Sequence, residues 1–159
     1  MKNYTSGVPV EKTISRIEQA LASVPGVNGI MKEYSGGKLS SLCFRVKLPK
    51  GGKTVAIKLP ANHKAVYEVL RKNIIRPREG TLDKLEDQAL RTSWKLMQDW
   101  VLVQLSLIEM QSADLMQVFL PYAWDGKQTY YEQLMAKQFK ALPDARPDES
   151  IVDVEVQHE

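Results

Sequence analysis

Apolar residues recur at spacings of three and four through DKLEDQALRTSWKLMQDWVLVQLSLIEM, and this periodicity predicts one helix from Asp83 to about Met110. Leu90, Trp94, Met97, Val101, Leu105 and Ile108 stack on one face. Leu96, Trp100, Val103 and Leu107 form a second apolar line beside the first, which is the pattern of a central, largely buried helix. Asp83 with Glu86 three residues on fits a capping box at its start. At about 1.5 Å per residue, roughly 27 residues span about 40 Å, the width of a domain of this size.

Upstream, Val10, Ile14, Ile17, Leu21 and Val24 keep helical spacing, with Pro9 suited to a first turn and Pro25-Gly26 ending the segment. Three stretches with a period of two follow. The first is Val27 to Tyr34. In Leu39 to Leu48 the inward set is Leu42, Phe44, Val46 and Leu48, and the outward set is Ser41, Cys43, Arg45 and Lys47. Lys53 to Leu59 puts Val55, Ile57 and Leu59 inward and Thr54, Ala56 and Lys58 outward. Ser35-Gly36-Gly37 and Lys50-Gly51-Gly52 are hairpin loops, so the sheet should be an antiparallel meander.

Asn62 is placed to cap a helix from about His63 to Ile74, and Arg76-Pro77-Arg78-Glu79-Gly80 links it to the long helix. After Met110, Ser112 caps a short helix that Pro121 stops; Tyr122 to Gly126 reads as an aromatic turn; a last helix runs from Tyr130 to about Leu142. The fold class is α+β: a three-stranded antiparallel meander with an N-terminal helix and a C-terminal set of helices around one long central helix. Residues 1–143 form one domain and 144–159 an acidic, mobile tail, in which Ile151 to Val156 alternates and could add to a sheet edge beside a partner.

Composition narrows the function classes. The 159 residues are 43% hydrophobic and 26% charged, enough for one globular core. The N-terminus lacks an apolar run for secretion, and Lys95, Asp99 and Glu109 interrupt the densest apolar stretch, which argues against membrane spanning and for the cytoplasm. Cys43 is a lone cysteine, read as a small apolar strand residue, and His63 and His158 lie far apart, so no metal-ligand spacing exists. No cofactor is implied.

The net charge of +3 conceals a segregation along the chain. Residues 45–78 hold ten basic side chains and one acidic, whereas 144–159 hold one basic and six acidic. A local +9 attracts polyanions whatever the overall balance. Arg45, Lys47 and Lys58 fall on outward strand positions, and Lys64, Arg71, Lys72, Arg76 and Arg78 follow on the next helix and linker. Together they are the candidate phosphate or nucleic-acid surface, against the plainer reading of a solvated face with lysines guarding sheet edges. Tyr122, Trp124 and Tyr130 are candidates for stacking on a base, against ordinary corner packing.

Catalytic motifs are missing from this pattern. Gly52-Lys53-Thr54 resembles the end of a phosphate-binding loop, but the required upstream glycine is Lys47 and Thr54 opens a strand instead of a helix. Neither histidine has a nucleophile partner in a recognisable elbow, and the acidic pairs Glu86-Asp87 and Asp153-Glu155 lack an apolar setting. The expected protein is therefore not an enzyme. Helix, three strands, helix also matches a double-stranded-RNA-binding domain in outline, without that family's basic second-helix motif.

Two stretches carry a more specific likeness: Tyr4 to Ile14 with Ile17-Glu18, and Ser93-Trp94-Lys95 with Asp99-Trp100-Val101, Gln104, Ile108-Glu109 and Phe119 to Tyr122. They resemble a family of small uncharacterised bacteriophage and prophage proteins. The resemblance implies a phage setting, in the cytoplasm of a bacterial host, and supplies no activity. The expected function is a non-enzymatic phage-type binding protein whose basic sheet and helix surface engages nucleic acid. The alternative is an anti-defence protein that sequesters a nucleotide signal or inhibits a host defence protein. Expected partners are thus nucleic acid, a nucleotide ligand or a host defence protein; self-association into a homo-oligomer stays open.

Overall fold

A computed structural model describes residues 6–76 and 78–144. In chain order these form α1 (Val10–Ala22), β1 (Val27–Ser35), β2 (Lys38–Lys47), β3 (Thr54–Pro60), α2 (His63–Lys72), α3 (Thr81–Glu109), α4 (Leu115–Phe119), a 3₁₀ turn (Leu120–Tyr122), β4 (Ala123–Trp124) and α5 (Tyr130–Ala136). The sheet is antiparallel with strand order β1-β2-β3-β4. It thus has four strands where three are expected: Ala123 pairs with Ile57 and Trp124 with Ala56, so part of the expected aromatic turn is an edge strand. Two residues are too short to show a period, which is why only tertiary pairing reveals them.

The hairpins form for the reason the sequence indicates. Gly36 and Gly37 both have positive φ, which lets a two-residue turn match the strand twist and sets Ser35 opposite Lys38. From there the register brings Leu42, Phe44, Val46, Ile57 and Leu59 to one face, where they are buried against Ile14, Ile17 and Leu21 of α1 and Leu90, Trp94 and Val101 of α3. Trp94 is fully buried, and its indole Nε1 donates to the Leu39 carbonyl at 3.2 Å, locking α3 to β2. Phe119 sits edge-on between Phe44 and Trp100, with ring centroids 5.4 Å and 5.6 Å away.

Helix ends differ in detail from their sequence signals. Asn62 does cap α2, accepting from the Ala65 amide. The long helix begins two residues earlier than expected, at Thr81, behind Gly80 at φ 73°, so Asp83 lies in the first turn and makes no cap. Asp114, not Ser112, caps α4, and Gln117 completes its capping box. The last helix stops at Ala136, because Gln138 and Phe139 take positive φ and turn the chain.

The largest departure concerns the two apolar lines of α3. The line through Leu90, Trp94 and Val101 is core, as expected. The second line is not: Leu96, Val103 and Leu107 are exposed, and only Trp100 within it is packed, against Phe119 and Tyr122. Helix α2 packs on α3 and α1 packs on its core side. No helix among the described residues is long and apolar enough to cross a membrane. Most of the acidic tail, with its alternating Ile151 to Val156, lies outside the described residues, as does Pro77 of the linker.

Candidate nucleic-acid interface

Cross-strand partners share a face, so the register alone assembles the outer surface of the sheet. One row runs Asn28, Arg45, Ala56, Trp124; the next runs Met31, Cys43, Lys58; a third pairs Glu33 with Ser41. The helical layer lies on the opposite face, and α5 meets the sheet at β4. Arg45 and Lys47 are exposed on this outer surface. Ala56 separates Arg45 from Trp124 in this row, and the Arg45 side chain lies over Gly29 of β1, on the side away from Ala56. Two strand spacings of about 4.8 Å separate the backbones of Arg45 and Trp124.

Lys58 stands at the centre of this face. Its ammonium pairs with the Glu33 carboxylate at 2.7 Å and lies 4.7 Å from the centre of the Trp124 ring. Ser41 donates to the same carboxylate at 2.5 Å. These long side chains roof Ser41 and Cys43, which is why two positions expected to be wet are buried. Burial, followed by the Glu33 charge, pushes the Cys43 thiol above its ordinary range and keeps it protonated and unreactive.

The Glu33 carboxyl is held below the ordinary range, chiefly by its hydrogen bond from Lys58 and then by that from Ser41. A folded-state pKa below the unfolded value means that the pair stabilises above about pH 4.3 and that this contribution is lost as pH falls through the folded value. Lys58→Met should therefore lower the urea midpoint at neutral pH, and the gap to the wild type should narrow at about pH 3. A gap of constant size across that window would show that the ion pair contributes nothing and that only packing was lost.

The eight basic residues singled out in the sequence do not form one track. Arg45, Lys47 and Lys58 share the outer sheet face, and Lys58 is already ion-paired. Lys64, Arg71 and Lys72 sit on α2, which belongs to the helical layer, and Arg76 and Arg78 lie in the linker to α3. Of the aromatic residues, Tyr122 packs against Trp100 with centroids 5.3 Å apart and is a corner residue. Tyr130 opens α5, and Trp124 alone of the three stands in the row of Arg45. Glu33 and Met31 were not anticipated as part of this face. The alternation that would have placed them is broken by register shifts between Asn28 and Met31 and between Glu33 and Tyr34.

Concavities elsewhere among the described residues include a larger and a smaller one. The larger, about 1360 Å³ and open, lies between the ends of α1 and α3, the β2–β3 loop and α4; its lining includes Val24, Leu48, Leu105 and Ile108 and contains no arginine and no aromatic ring. The smaller, about 410 Å³, lies between α2 and the start of α3 and includes Glu68, Asp83 and Glu86. Among the described residues no cluster of three or more His, Cys, Asp or Glu is placed to hold a metal. No protein-family model matches the chain, and neither a curated protein nor a solved structure matches it significantly.

Proposed function

We propose that this is a non-enzymatic binding protein of phage type that engages nucleic acid through the basic outer face of its sheet. The observation that carries this reading is the row joining Arg45 to Trp124, flanked by Lys47, on the sheet face away from the helices, where Lys58 is held between Glu33 and the Trp124 ring. Cations there neutralise phosphates, and an indole gives an unstacked base a platform. A single strand fits that combination better than a duplex, because only unpaired bases expose a ring face. The basic residues of α2 and the linker offer a second, separate contact for the same strand or for another.

The anti-defence reading, in its nucleotide-sequestering form, has less support. Such a pocket needs arginines paired with aromatics, and the larger groove has neither in its lining. Labelled single- and double-stranded oligonucleotides titrated at about 50 mM salt test the proposal, with Arg45→Ala/Lys47→Ala beside the wild type. Binding of the single strand, weakened at least tenfold by the double substitution, is the expected result. No binding by the wild type to either oligonucleotide would overturn the proposal.

A further inference from the structure

Side chains from three neighbouring strands meet around one negative charge on the outer sheet face. Oε2 of Glu33, on β1, lies 2.7 Å from the Lys58 ammonium of β3 and accepts from the Ser41 hydroxyl of β2 at 2.5 Å. Ser41 is only 2% exposed, so its hydroxyl is a donor fixed by packing. The Trp124 ring completes the setting, its centre 4.7 Å from the same ammonium. An ammonium and a hydroxyl converging on one anionic oxygen are the donors that hold a phosphate oxygen, and the adjoining indole is a face on which a base stacks. The strand itself delivers the anion now in that place. The β1–β2 register slips between Glu33 and Tyr34, and the Ser40 hydroxyl donates to the Glu33 carbonyl at 3.1 Å. Irregularities of this kind re-aim a side chain. The main chain at Glu33 is thus pinned, while its side chain, 36% exposed, has room to swing outward. An ion pair this open to water is weak, so a competing anion can part it.

We infer that Glu33 is a built-in competitor for nucleic acid: its carboxylate fills a phosphate-oxygen site made by Lys58 and Ser41 beside Trp124, and a strand gains these donors only by displacing it. The inference rests on the nucleic-acid reading of this face and gives that face a closed and an open state. With Glu33 seated, Arg45 and Lys47 are exposed and Lys58 is engaged. With Glu33 displaced, one more phosphate is held, next to the ring that takes a base. The competitor therefore lowers affinity for every strand and favours those whose base stacks on Trp124 well enough to open the pair.

Titration of the wild type, Glu33→Gln and Glu33→Ala with labelled oligothymidine at several salt concentrations tests this, with circular dichroism to confirm the fold. Glutamine keeps the size of the side chain and alanine removes its acceptor, so the result does not hang on one replacement. Both variants should bind about fivefold or more tighter at about 50 mM salt, and the logarithmic salt slope should steepen from about −1.4 to about −2.1, one further single-strand phosphate. Adding Lys58→Met to Glu33→Gln should return the slope to about −1.4. Glu18→Gln makes the same change of charge at a pair with Lys32, which shares the core-facing row of Leu42, and should leave binding unchanged. A wild type that binds with the same slope as both Glu33 variants, or an equal gain from Glu18→Gln, would overturn the inference and leave the nucleic-acid reading standing. Variants that bind where the wild type does not would support both. No binding by any of the chains would overturn the reading of the face and the inference with it.

Discussion

Trp94→Ala is expected to lower the free energy of unfolding by about 3–5 kcal/mol, the usual cost of deleting a large buried aromatic side chain. Trp94 has no exposed surface, sits where α3 crosses the sheet, and donates its only hydrogen bond to the Leu39 carbonyl. The substitution therefore opens a cavity and also leaves a buried carbonyl unpaired. Trp94→Phe separates the two effects, since it retains most of the ring volume and loses the donor, at about 1–3 kcal/mol. Sequence periodicity places Trp94 and Trp100 on adjoining apolar lines of one largely buried helix. The structure grades them, because Trp100 is only half-buried between Phe119 and Tyr122, and Trp100→Ala should cost less than Trp94→Ala. Urea midpoints of the three variants check the order. A midpoint for Trp94→Ala equal to the wild type would mean that α3 does not seat on the sheet through this residue.

The second large effect lies in the salt dependence of nucleic-acid binding. If a single strand meets only Arg45 and Lys47, with Lys58 held by Glu33, two phosphates give a logarithmic slope of about −1.4 and a loss of about sevenfold in affinity between 50 and 200 mM salt. If instead Lys64, Arg71, Lys72, Arg76 and Arg78 act on the same strand as well, the same change of salt costs about a thousandfold. The slope thus reports whether the ligand stays on the sheet or wraps to the helical layer. Residues 144–159, with six acidic side chains and one basic, compete for these cations as a tethered polyanion at high effective concentration. Removing them should tighten binding at low salt and change little at high salt, where screening already weakens the tail. Titrations of full-length and truncated protein at several salt concentrations measure both effects, and identical curves for the two chains would rule out tail competition.

Whatever depends on period was legible in the chain itself. The repeats of three and four that make α1 and α3, the alternation that sends Leu42, Phe44 and Val46 inward, and the Gly36-Gly37 turn that sets the first hairpin are local properties, fixed by backbone geometry and by the hydrophobic effect acting on neighbours in sequence. The excess of cations between residues 45 and 78 was equally plain. What the sequence alone could not decide was which apolar face would find cover and which charges would share a surface. Both lines of α3 look alike as strings, yet one meets the sheet and the other stays exposed at Leu96, Val103 and Leu107, because burial depends on elements distant along the chain. Trp124 joins the face of Arg45 only by pairing across β3 with a residue almost seventy positions earlier, and Glu33 reaches Lys58 only through strand register. Register and packing are long-range, so the divided basic surface, the edge strand and the bare second line of α3 were decided by the tertiary structure.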